Sequence, residues 1–441
     1  MADARHDTPA AAEAWPTPGR AWGIVGILTA AYFISYVDRS ILSLLVEPIK
    51  RSLQISDTQV GLLQGAAFGV FFMLMTIPIG WLADRGNRVR LIALGIAFWS
   101  IMTVLCGVCS NFAQLFLARM GVAVGEATLT PTGPSLISDN FPPEWRTLPM
   151  SLYGLGALLG GGGALVAGGA LAGLVSGPGG IPLLGGGLFK PWQLIFFAVG
   201  LPGLLLSLLF FLAKEPQRRD YKRTEGTLHE LAEALKSRRA IIMPHFAGVC
   251  FFQFYASAFL TWLPAFFMRV HGWSIGDIGV KYGVVHLGFG IAGALVGGSF
   301  ARVLWHRGFR DANLLTGAIC FGGMTIPAVL GPLVSSAIAS ALLLGLTIGF
   351  AQAPAGANIA AIQEILPNHL RARVTAIYYA AMALSGSTFG PLLVGLMNDH
   401  LFTGELSIAK SMSLTALLTL PPSSVLLFIA ARRRTVLEWA N

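Results

Sequence analysis

Charged residues are scarce in this sequence. Asp, Glu, Lys and Arg make up 12% of its 441 residues, and hydrophobic residues make up 54%. Soluble domains carry about 25% charged residues, so this composition excludes an ordinary soluble protein. Apolar runs recur along the whole chain, each near the ~20 residues that a helix needs to cross about 30 Å of hydrocarbon. The sequence therefore predicts an all-α integral membrane protein that contacts the lipid bilayer along most of its length.

Cysteine is also scarce, and the placement of the cysteines argues against a disulfide framework. All four lie inside apolar runs predicted to be helical: Cys106, Cys109, Cys250 and Cys320. Cys106-x-x-Cys109 has the spacing of a redox or metal-binding motif, but no other cysteine or histidine lies near it in the sequence. We interpret both residues as small members of a helical core.

Motifs for catalysis are lacking as well. The sequence has no phosphate-binding loop after a strand, no metal-ligand spacing and no activated nucleophile. We therefore predict that the protein is not an enzyme and binds neither a metal nor a cofactor. The net charge of +9 does not indicate a nucleic-acid partner, because almost all Lys and Arg residues lie in short connections and chain ends, as membrane topology requires.

The apolar runs predict twelve membrane-spanning helices in two groups of six. The first six cover about 21–47, 57–83, 89–109, 112–140, 147–174 and 191–213. The second six cover about 241–269, 275–303, 311–332, 336–364, 371–398 and 408–431. The predicted organisation is a disordered segment 1–20, a first half 21–213, a linker 214–240, a second half 241–431 and a tail 432–441.

The two halves repeat a pattern at the end of their fourth helix. Both have an acidic residue followed by Pro-x-x-x-Arg: Asp139, Pro142 and Arg146 in the first half, and Glu364, Pro367 and Arg371 in the second. Two parallel six-helix repeats form a known transporter plan, in which the solute binds between the halves near the middle of the membrane.

The distribution of Lys and Arg predicts the orientation. These residues concentrate at the chain ends, in the linker and in the connections that follow even-numbered spans of each half. Because basic connections stay in the cytoplasm, we predict cytoplasmic termini in a bacterial inner membrane. Within the linker, Thr227-x-x-Glu230 is a capping box ahead of an apolar stripe, and it predicts a short amphipathic helix lying on the membrane.

Four charged residues interrupt the predicted helices at membrane depth. Asp38 and Arg39 lie in span one, and Arg119 and Glu126 lie in span four. A charge at the bilayer centre costs about 2.5 kcal/mol or more, so we predict that the four lie together and form the functional centre. Arg119 and Glu126 are two helical turns apart and share nearly one face. The alternative is a purely structural ion-pair cluster that locks the first half.

The connection after span two resembles the signature loop of the major facilitator superfamily. It reads Gly80-Trp-Leu-Ala-Asp84-Arg85-Gly-Asn-Arg88-Val-Arg90, with Asn87 where the family usually has glycine and Val89 in place of a basic residue. The resemblance implies a twelve-transmembrane-helix major facilitator fold with two pseudo-symmetric six-helix halves that work by alternating access. It also implies that Asp84 approaches the start of span eleven when the cytoplasmic side closes.

The cytoplasmic gate that we predict from this resemblance and from the repeat consists of Asp84, Arg85, Arg88, Asp139 and Arg146. Small Gly80 would let helices approach one another there. The alternative for the arginines is a purely topological role, in which they hold the loop inside the cell.

Within the superfamily, the sequence is similar to the spinster family of lipid transporters over roughly residues 32–147. The similarity lies in Tyr36-Val-Asp38-Arg39, Gly61-Leu-Leu-Gln64, Phe98-Trp99-Ser100 and, above all, Arg119-x-Gly121-Val-x-Val-Gly125-Glu126-Ala127. Eukaryotic members of that family are implied to move lysophospholipids and sphingosine phosphate. For this sequence, the similarity implies that acidic residues of these motifs take part in proton coupling. A bacterial-type member need not share that substrate.

We accordingly predict a monomeric, proton-coupled transporter of an amphipathic, anionic, lipid-like solute. Arg39, Arg119 and Glu126 would bind the solute, and Glu126 and Asp38 would carry protons. Burial disfavours the charged form of a carboxylate and a nearby arginine favours it, so a small rearrangement can switch its protonation. The alternatives are a transporter of a small organic acid or drug, and a membrane sensor or scramblase-like scaffold that does not transport.

Several further side chains are weaker candidates. Four amides are interpreted as interhelical hydrogen-bonding residues in preference to cavity-lining ones: Gln64, Gln253, Gln352 and Asn358. Two histidines titrate near neutrality, and the first is predicted to be interfacial: His245 and His286. Aromatic residues crowd span seven and would suit an acyl chain if they face a cavity: Phe251, Phe252, Phe254, Tyr255 and Trp262.

Overall fold

The computed structural model of this chain describes residues 15–142, 145–175, 181–182, 188–218, 228–366 and 368–439, and most of these residues are helical. The first half contains α1 (Pro18–Leu44), α2 (Val46–Leu53), α3 (Asp57–Gln64), α4 (Ala66–Arg85), α5 (Arg88–Cys106), α6 (Phe112–Glu126), α7 (Leu129–Asn140), α8 (Thr147–Val175) and α9 (Pro191–Leu212). Between α8 and α9, strand β1 (Ile181–Pro182) pairs antiparallel with strand β2 (Leu188–Phe189).

The second half follows a linker helix. The helices are α10 (Leu228–Ser237) in the linker, then α11 (Arg239–His271), α12 (Ile275–Asp277), α13 (Gly283–His306), α14 (Ala312–Leu330), α15 (Ala337–Gln352), α16 (Ala355–Ile365), α17 (Asn368–Ala383), α18 (Gly390–Leu396) and α19 (Ser407–Trp439). Short π-helical turns at 278–282, 384–389 and 397–401 continue the helices that they adjoin.

Eleven helical stretches among the described residues are long and apolar enough to cross a membrane, and they match eleven predicted spans within a few residues. The remaining span, predicted as one helix over 112–140, is instead two helices, α6 and α7. The break has a chemical cause: Pro131 and Pro134 have no N–H to donate to the preceding turn. Thr128 Oγ1 donates to Gly125 O at 2.8 Å at the same place. The all-α membrane fold is confirmed, with a break just beyond Glu126.

The two ends of the helix bundle are called here the Asp57 side and the Arg88 side, after the first residues of α3 and α5. The halves pack closely toward the Asp57 side, where α3 lies against α18 and α8 lies against α12. A Cβ on Gly65 would lie 2.5 Å from Thr388 O. Glycine therefore lets the two backbones approach at this position.

The same spans separate toward the Arg88 side. A Cβ placed on Gly80, Gly154 or Gly298 would meet no atom of the described chain within 4 Å. Gly80 lies on α4, Gly154 on α8 and Gly298 on α13, so each belongs to a span that contacts the other half near the Asp57 side. The two halves are thus closed at the Asp57 side and apart at the Arg88 side, and no helix lies against Gly80 as predicted for a closed gate.

The chain ends and the linker differ in part from expectation. Residues 1–14 and Thr227 lie outside the described residues, and α1 already begins at Pro18. The predicted linker helix is present as α10, but Leu231 and Leu235 pack against the core cluster that includes α11. These two residues of its apolar stripe are therefore half-buried against protein, whereas the prediction placed the stripe on the membrane. The helix α19 continues through the predicted tail to Trp439.

Candidate functional site

The four charged residues predicted within the membrane lie together as two ion pairs. Arg39 Nε is 2.5 Å from Glu126 Oε2, and Arg119 Nη1 is 4.0 Å from Asp38 Oδ1. Each pair joins α1 to α6. Arg119 and Glu126 share one helix, yet each pairs with a residue of α1 and not with the other.

Hydroxyl groups complete the two pairs. Ser35 Oγ donates a hydrogen bond of 2.7 Å to Glu126 Oε2, and it lies one turn before Arg39 on the same face of α1. Thr103 Oγ1, on α5, donates to Asp38 Oδ2. Helices α1, α5 and α6 therefore each supply polar groups to one cluster.

Close packing brings α5 against α6 beside the cluster. A Cβ on Gly125 would lie 2.7 Å from Trp99 Cβ, so glycine at this position lets the two helices approach each other. Asp38, Arg119 and Glu126 are almost completely buried. Burying an unpaired charge in this setting would cost several kcal/mol per ion, so the pairing stabilises the fold.

Arg39 differs from the other three because its side chain is 26% exposed. Its guanidinium carbon lies 4.6 Å from the Phe68 ring centroid, 4.9 Å from that of Phe72 and 5.0 Å from that of Tyr36. A guanidinium can stack on aromatic rings while its N–H groups bind an anion. Arg39 is therefore held in place and still accessible.

That accessible surface faces a cavity of about 490 Å³ between the two halves. Arg39, Arg119 and Gln64 lie on the wall from the first half, and Gln253 and His286 lie on the wall from the second half. This volume is within the range of about 300–1,000 Å³ typical of ligand pockets. We call it the arginine cavity.

A second cavity of about 310 Å³ adjoins the first inside the second half. Its wall is mostly apolar and includes six aromatic residues: Phe252, Tyr255, Phe259, Phe321, Tyr378 and Tyr379. Phe252 stacks on Phe321 with ring centroids 4.1 Å apart. We call it the aromatic cavity.

Each buried carboxylate keeps one oxygen without a hydrogen-bond donor among the described residues. These oxygens are Asp38 Oδ1 and Glu126 Oε1. A protonated carboxyl group carries one O–H in addition to its accepting oxygen. A proton could therefore occupy either carboxylate without displacing the hydrogen bond from Ser35 or Thr103.

Two of the five predicted gate residues, Arg88 and Asp139, belong to an ion-pair network on the Arg88 side. Arg88 is buried and pairs with Asp139 at 2.6 Å and with Glu215 at 2.6 Å. Glu215 Oε2 also accepts a hydrogen bond of 2.9 Å from Val89 N. Arg146 Nε donates to a backbone carbonyl at 2.9 Å. This network joins the first half to the start of the linker, and the prediction missed Glu215 because it is one of five acidic residues in a linker with eight basic ones.

Asp84 and Arg85 lie beside that network at the surface. The Asp84 carboxylate is exposed and forms no hydrogen bond or ion pair with any described residue. Arg85 stacks over Trp81 at 3.9 Å. Arg218 covers the end of α4 and donates to the carbonyl oxygens of Ala83 and Gly86 at 2.5 and 2.7 Å. The predicted contact of Asp84 with span eleven belongs to a closed gate and stays a prediction.

An ion-pair network on the Asp57 side was not predicted. Arg269 binds Asp57 at 2.5 Å and Glu47 at 2.6 Å, Lys50 binds Asp57 at 2.5 Å, and Asn398 Nδ2 donates to Asp57 at 3.0 Å. We call these five residues the Asp57 latch. It joins the halves, because Arg269 and Asn398 belong to the second half and the other three to the first.

Asp399 strengthens the same junction. Its carboxylate accepts hydrogen bonds from the backbone N–H groups of Thr58 at 2.7 Å and Asp57 at 3.3 Å, at the start of α3. A carboxylate there satisfies free N–H groups and complements the helix dipole. The latch could not be predicted from the sequence, because charged residues at the ends of membrane spans are common.

The predicted roles of the amides divide. Gln64 Nε2 donates to Ser43 Oγ at 3.1 Å, which confirms an interhelical role. Asn358 lines the aromatic cavity. The interhelical interpretation is wrong for Gln253 and Gln352, which line both cavities and form no hydrogen bond with their side chains in the described chain.

The histidines and aromatic residues also divide. His245 is not interfacial as predicted but buried, because α17 packs over it and Tyr378 stacks on its ring at 5.6 Å. Trp262 is structural, and its Nε1 donates to Pro391 O at 2.9 Å. Phe251 is exposed on the outer surface. Only part of the aromatic group on span seven therefore faces a cavity.

Among the residues that the structure describes, no group of three or more His, Cys, Asp or Glu side chains could hold a metal ion. The polar chemistry of the site consists of two ion pairs, hydroxyls and amides. This arrangement can bind an anion at the arginines and hold a proton on a carboxylate.

Comparison with known proteins places this geometry in a family. The family model of the Major Facilitator Superfamily matches residues 28–391. An MFS-type efflux pump of Mycolicibacterium smegmatis is 31% identical over 387 residues, which cover 87% of this chain and 86% of that protein. The chain therefore belongs to the Major Facilitator Superfamily, and it is a transporter and not an enzyme.

Two further likenesses narrow the class. The crystal structure of a bacterial homolog to the human lysosomal transporter Spinster, in an inward-facing and unoccupied conformation, superimposes with a TM-score of 0.79 at 27% identity and covers 95% of this chain and 96% of that one. Protein spinster homolog 1 of Xenopus laevis is 29% identical over 255 residues, which cover 56% of this chain and 45% of that protein. The protein is a transporter of the spinster type.

Proposed function

We propose that this protein couples proton movement to the transport of an amphipathic, anionic, lysolipid-like solute by alternating access. The observation that carries the proposal is the double engagement of Arg39. Its side chain lines the arginine cavity and forms the ion pair with buried Glu126. A solute anion and the Glu126 carboxylate therefore compete for one guanidinium.

That competition supplies a coupling mechanism. When a headgroup anion binds Arg39, Glu126 loses part of its counter-charge, and its protonated form is favoured because a buried charge without a partner is costly. The coupling is reciprocal, so a proton on Glu126 frees Arg39 and tightens solute binding. Solute affinity should accordingly rise as pH falls. Arg119 and Asp38 form the second pair, with Arg119 as the other headgroup ligand and Asp38 as a second proton carrier.

The adjoining aromatic cavity supports the amphipathic character of the solute. Apolar and aromatic walls favour a hydrocarbon chain because its burial releases about 25 cal/mol per Å² of apolar surface. A headgroup at Arg39 with a chain among the aromatic rings uses both cavities. A small acid would fill only the arginine cavity.

We infer that the Arg88 side faces the cytoplasm, since basic residues of the connections gather there. The separation of the halves at that side would then make the described conformation inward-facing. The test uses a variant in which the native cysteines are replaced by serine and one cysteine is placed at Lys236, an exposed residue of α10. An impermeant reagent should label it only from the inside, whereas Glu405→Cys should be labelled from outside in intact cells. The reverse pattern would overturn the orientation.

The main alternative is the transport of a different solute, a small organic acid or a drug. The likeness to an efflux pump favours export of a drug over transport of an acid. Purified protein in liposomes should show proton flux stimulated by lauroyl lysophosphatidate and not by sugar acids or cationic drugs. Stimulation only by sugar acids or drugs would replace the lysolipid assignment. A protein that shows no counterflow of any of these solutes would be a sensor or scaffold.

A further inference from the structure

The junction of the two cavities is built from a small set of residues. Four side chains line both: Gln253 and Leu260 from α11, His286 from α13 and Gln352 from α15. Three of the four are polar and uncharged amide or imidazole groups. They lie where the headgroup of a bound amphipathic solute would give way to its chain.

These three polar groups are not used by the fold. The Gln253 and Gln352 amides form no hydrogen bond within the part of the chain that the structure describes. His286 is only 8% exposed, and its Nδ1 is fully buried with no hydrogen-bond partner among the described residues. Gln64 offers a contrast, since it lines the arginine cavity but donates to Ser43.

Leaving the buried Nδ1 of His286 without a partner is unfavourable, because a buried polar atom that forms no hydrogen bond loses its hydration without compensation. The two amides are half-buried and line the cavities with their donors and acceptors unused. An amide supplies two N–H donors and an accepting oxygen, and an imidazole supplies a donor and an acceptor. Their natural complement is an uncharged group with both carbonyl and hydroxyl oxygens. Neither a phosphate alone nor a hydrocarbon chain offers that combination.

We propose that Gln253, His286 and Gln352 form a polar collar that binds an uncharged ester, amide or hydroxyl linker between the anionic headgroup and the apolar chain of the solute. The proposal rests on the proposed function and sharpens its substrate class. The collar selects lipids that have a hydrogen-bonding linker over simple alkyl phosphates of equal chain length. The arginines provide affinity for the anion, and the collar provides discrimination.

The test compares two ligands that differ in the linker: lauroyl lysophosphatidate and dodecyl phosphate. Each is titrated by calorimetry into the full-length protein in nanodiscs. The parent should bind the lysophosphatidate at least about tenfold more tightly, as expected for two or three net hydrogen bonds. Gln253→Leu, Gln352→Leu and His286→Leu should each reduce this preference. The affinity for dodecyl phosphate should stay within about twofold, because that ligand does not use these hydrogen bonds.

Matched variants separate discrimination from folding. Asn313→Leu changes an amide that lines neither cavity and donates to Glu364 at the surface, so the preference should persist. His286→Gln retains a donor and an acceptor and should restore most of the preference lost in His286→Leu. The collar is overturned if the parent shows no preference, or if collar variants weaken both ligands equally. If neither ligand binds the parent, the proposed function itself fails, and the collar fails with it.

Discussion

The two halves share a fold but differ in the chemistry that they bring to the solute. The first half places both arginines and both buried carboxylates beside the arginine cavity, whereas the wall from the second half is lined by amides, a histidine and aromatic rings. None of the residues that line the aromatic cavity is charged. Repetition of the fold supplies two rigid bodies, and the difference between them gives the cavity a polar end and an apolar end.

A second comparison lies on the Arg88 side, where each half contains an ion network that includes three of the described residues. In the first half Arg88, at the start of α5, pairs with Asp139 and Glu215. In the second half Arg434 of α19 pairs with Asp311 at 3.3 Å and with Glu364 at 2.6 Å. Both networks join the start of the third span, the end of the fourth and the segment beyond the sixth.

The signs at two of these corners are exchanged. The cation lies at the third span in the first half and beyond the sixth span in the second half. An arginine opposite two acids satisfies the same geometry from either corner. The network therefore constrains the sum of charges and leaves the position of the arginine free.

The largest effect that we expect comes from removing the accessible charge of the first half. Arg39→Met should weaken lysophosphatidate binding by about 100-fold or more, because charged hydrogen bonds to a buried anion contribute 2–5 kcal/mol. Gln352→Leu, its counterpart across the cavity, should cost about tenfold or less. Calorimetric titration in nanodiscs measures both. Arg85→Met, at the surface beside Trp81, is the control, and equal losses for the two cavity variants would contradict the division of labour.

The exchange of signs can be reproduced in the first half. Arg88→Asp alone leaves three acids together and should lower the free energy of unfolding by about 3–5 kcal/mol. Adding Glu215→Arg recreates the arrangement of the second half and should recover about 1–3 kcal/mol. The free energies of unfolding of both single variants and the double variant are measured by SDS titration in mixed micelles, and together they form a double-mutant cycle. Strictly additive losses would show that the two networks are not equivalent.

A smaller effect is expected from mutation of the Asp57 latch. Such a mutation should change the populations of the two conformations and leave the solute-binding site intact. Asp57→Asn removes the charge that holds Arg269 and Lys50, so the state open at the Asp57 side should become more populated. Electron spin distance measurements between labels at positions 51 and 405 should show a larger fraction of long distances.

The control for the latch is Asp277→Asn. Asp277 lies in the second half and pairs with Lys281 at 2.6 Å, one helical turn away on an exposed surface. Its removal should leave the distances unchanged. If both variants gave the same distance distribution as the parent, the latch would have no part in closing the Asp57 side.

Most of the fold follows from the sequence because length and hydropathy determine where helices cross a membrane. The four charges could also be predicted to meet, since an isolated charge at that depth is too costly. Their pairing could not, because the reach of Arg39 to Glu126 depends on how α1 is rotated against α6. The break in span four was not predicted, although Pro131 and Pro134, which have no N–H to donate, were a signal for it.

Other features gave no usable signal. Charges at helix ends are ordinary in membrane proteins, so Asp57 and Arg269 did not stand apart from topological residues. The amides were ambiguous for a geometric reason. One residue along a helix rotates a side chain by about 100°, and only the packing of α11 and α15 determines that Gln253 and Gln352 face the cavities.

The central claim is that a solute anion and Glu126 compete for Arg39. The direct test is proton uptake on addition of lauroyl lysophosphatidate to protein in liposomes, with parent, Glu126→Gln and Asp38→Asn compared. Glutamine mimics the protonated carboxyl, so Glu126→Gln should still bind the solute, with an affinity that no longer rises as pH falls, and should take up few or no protons. Asp38→Asn should retain most of the uptake. Full solute-dependent proton uptake by Glu126→Gln would contradict this mechanism and would make Asp38 the candidate proton carrier.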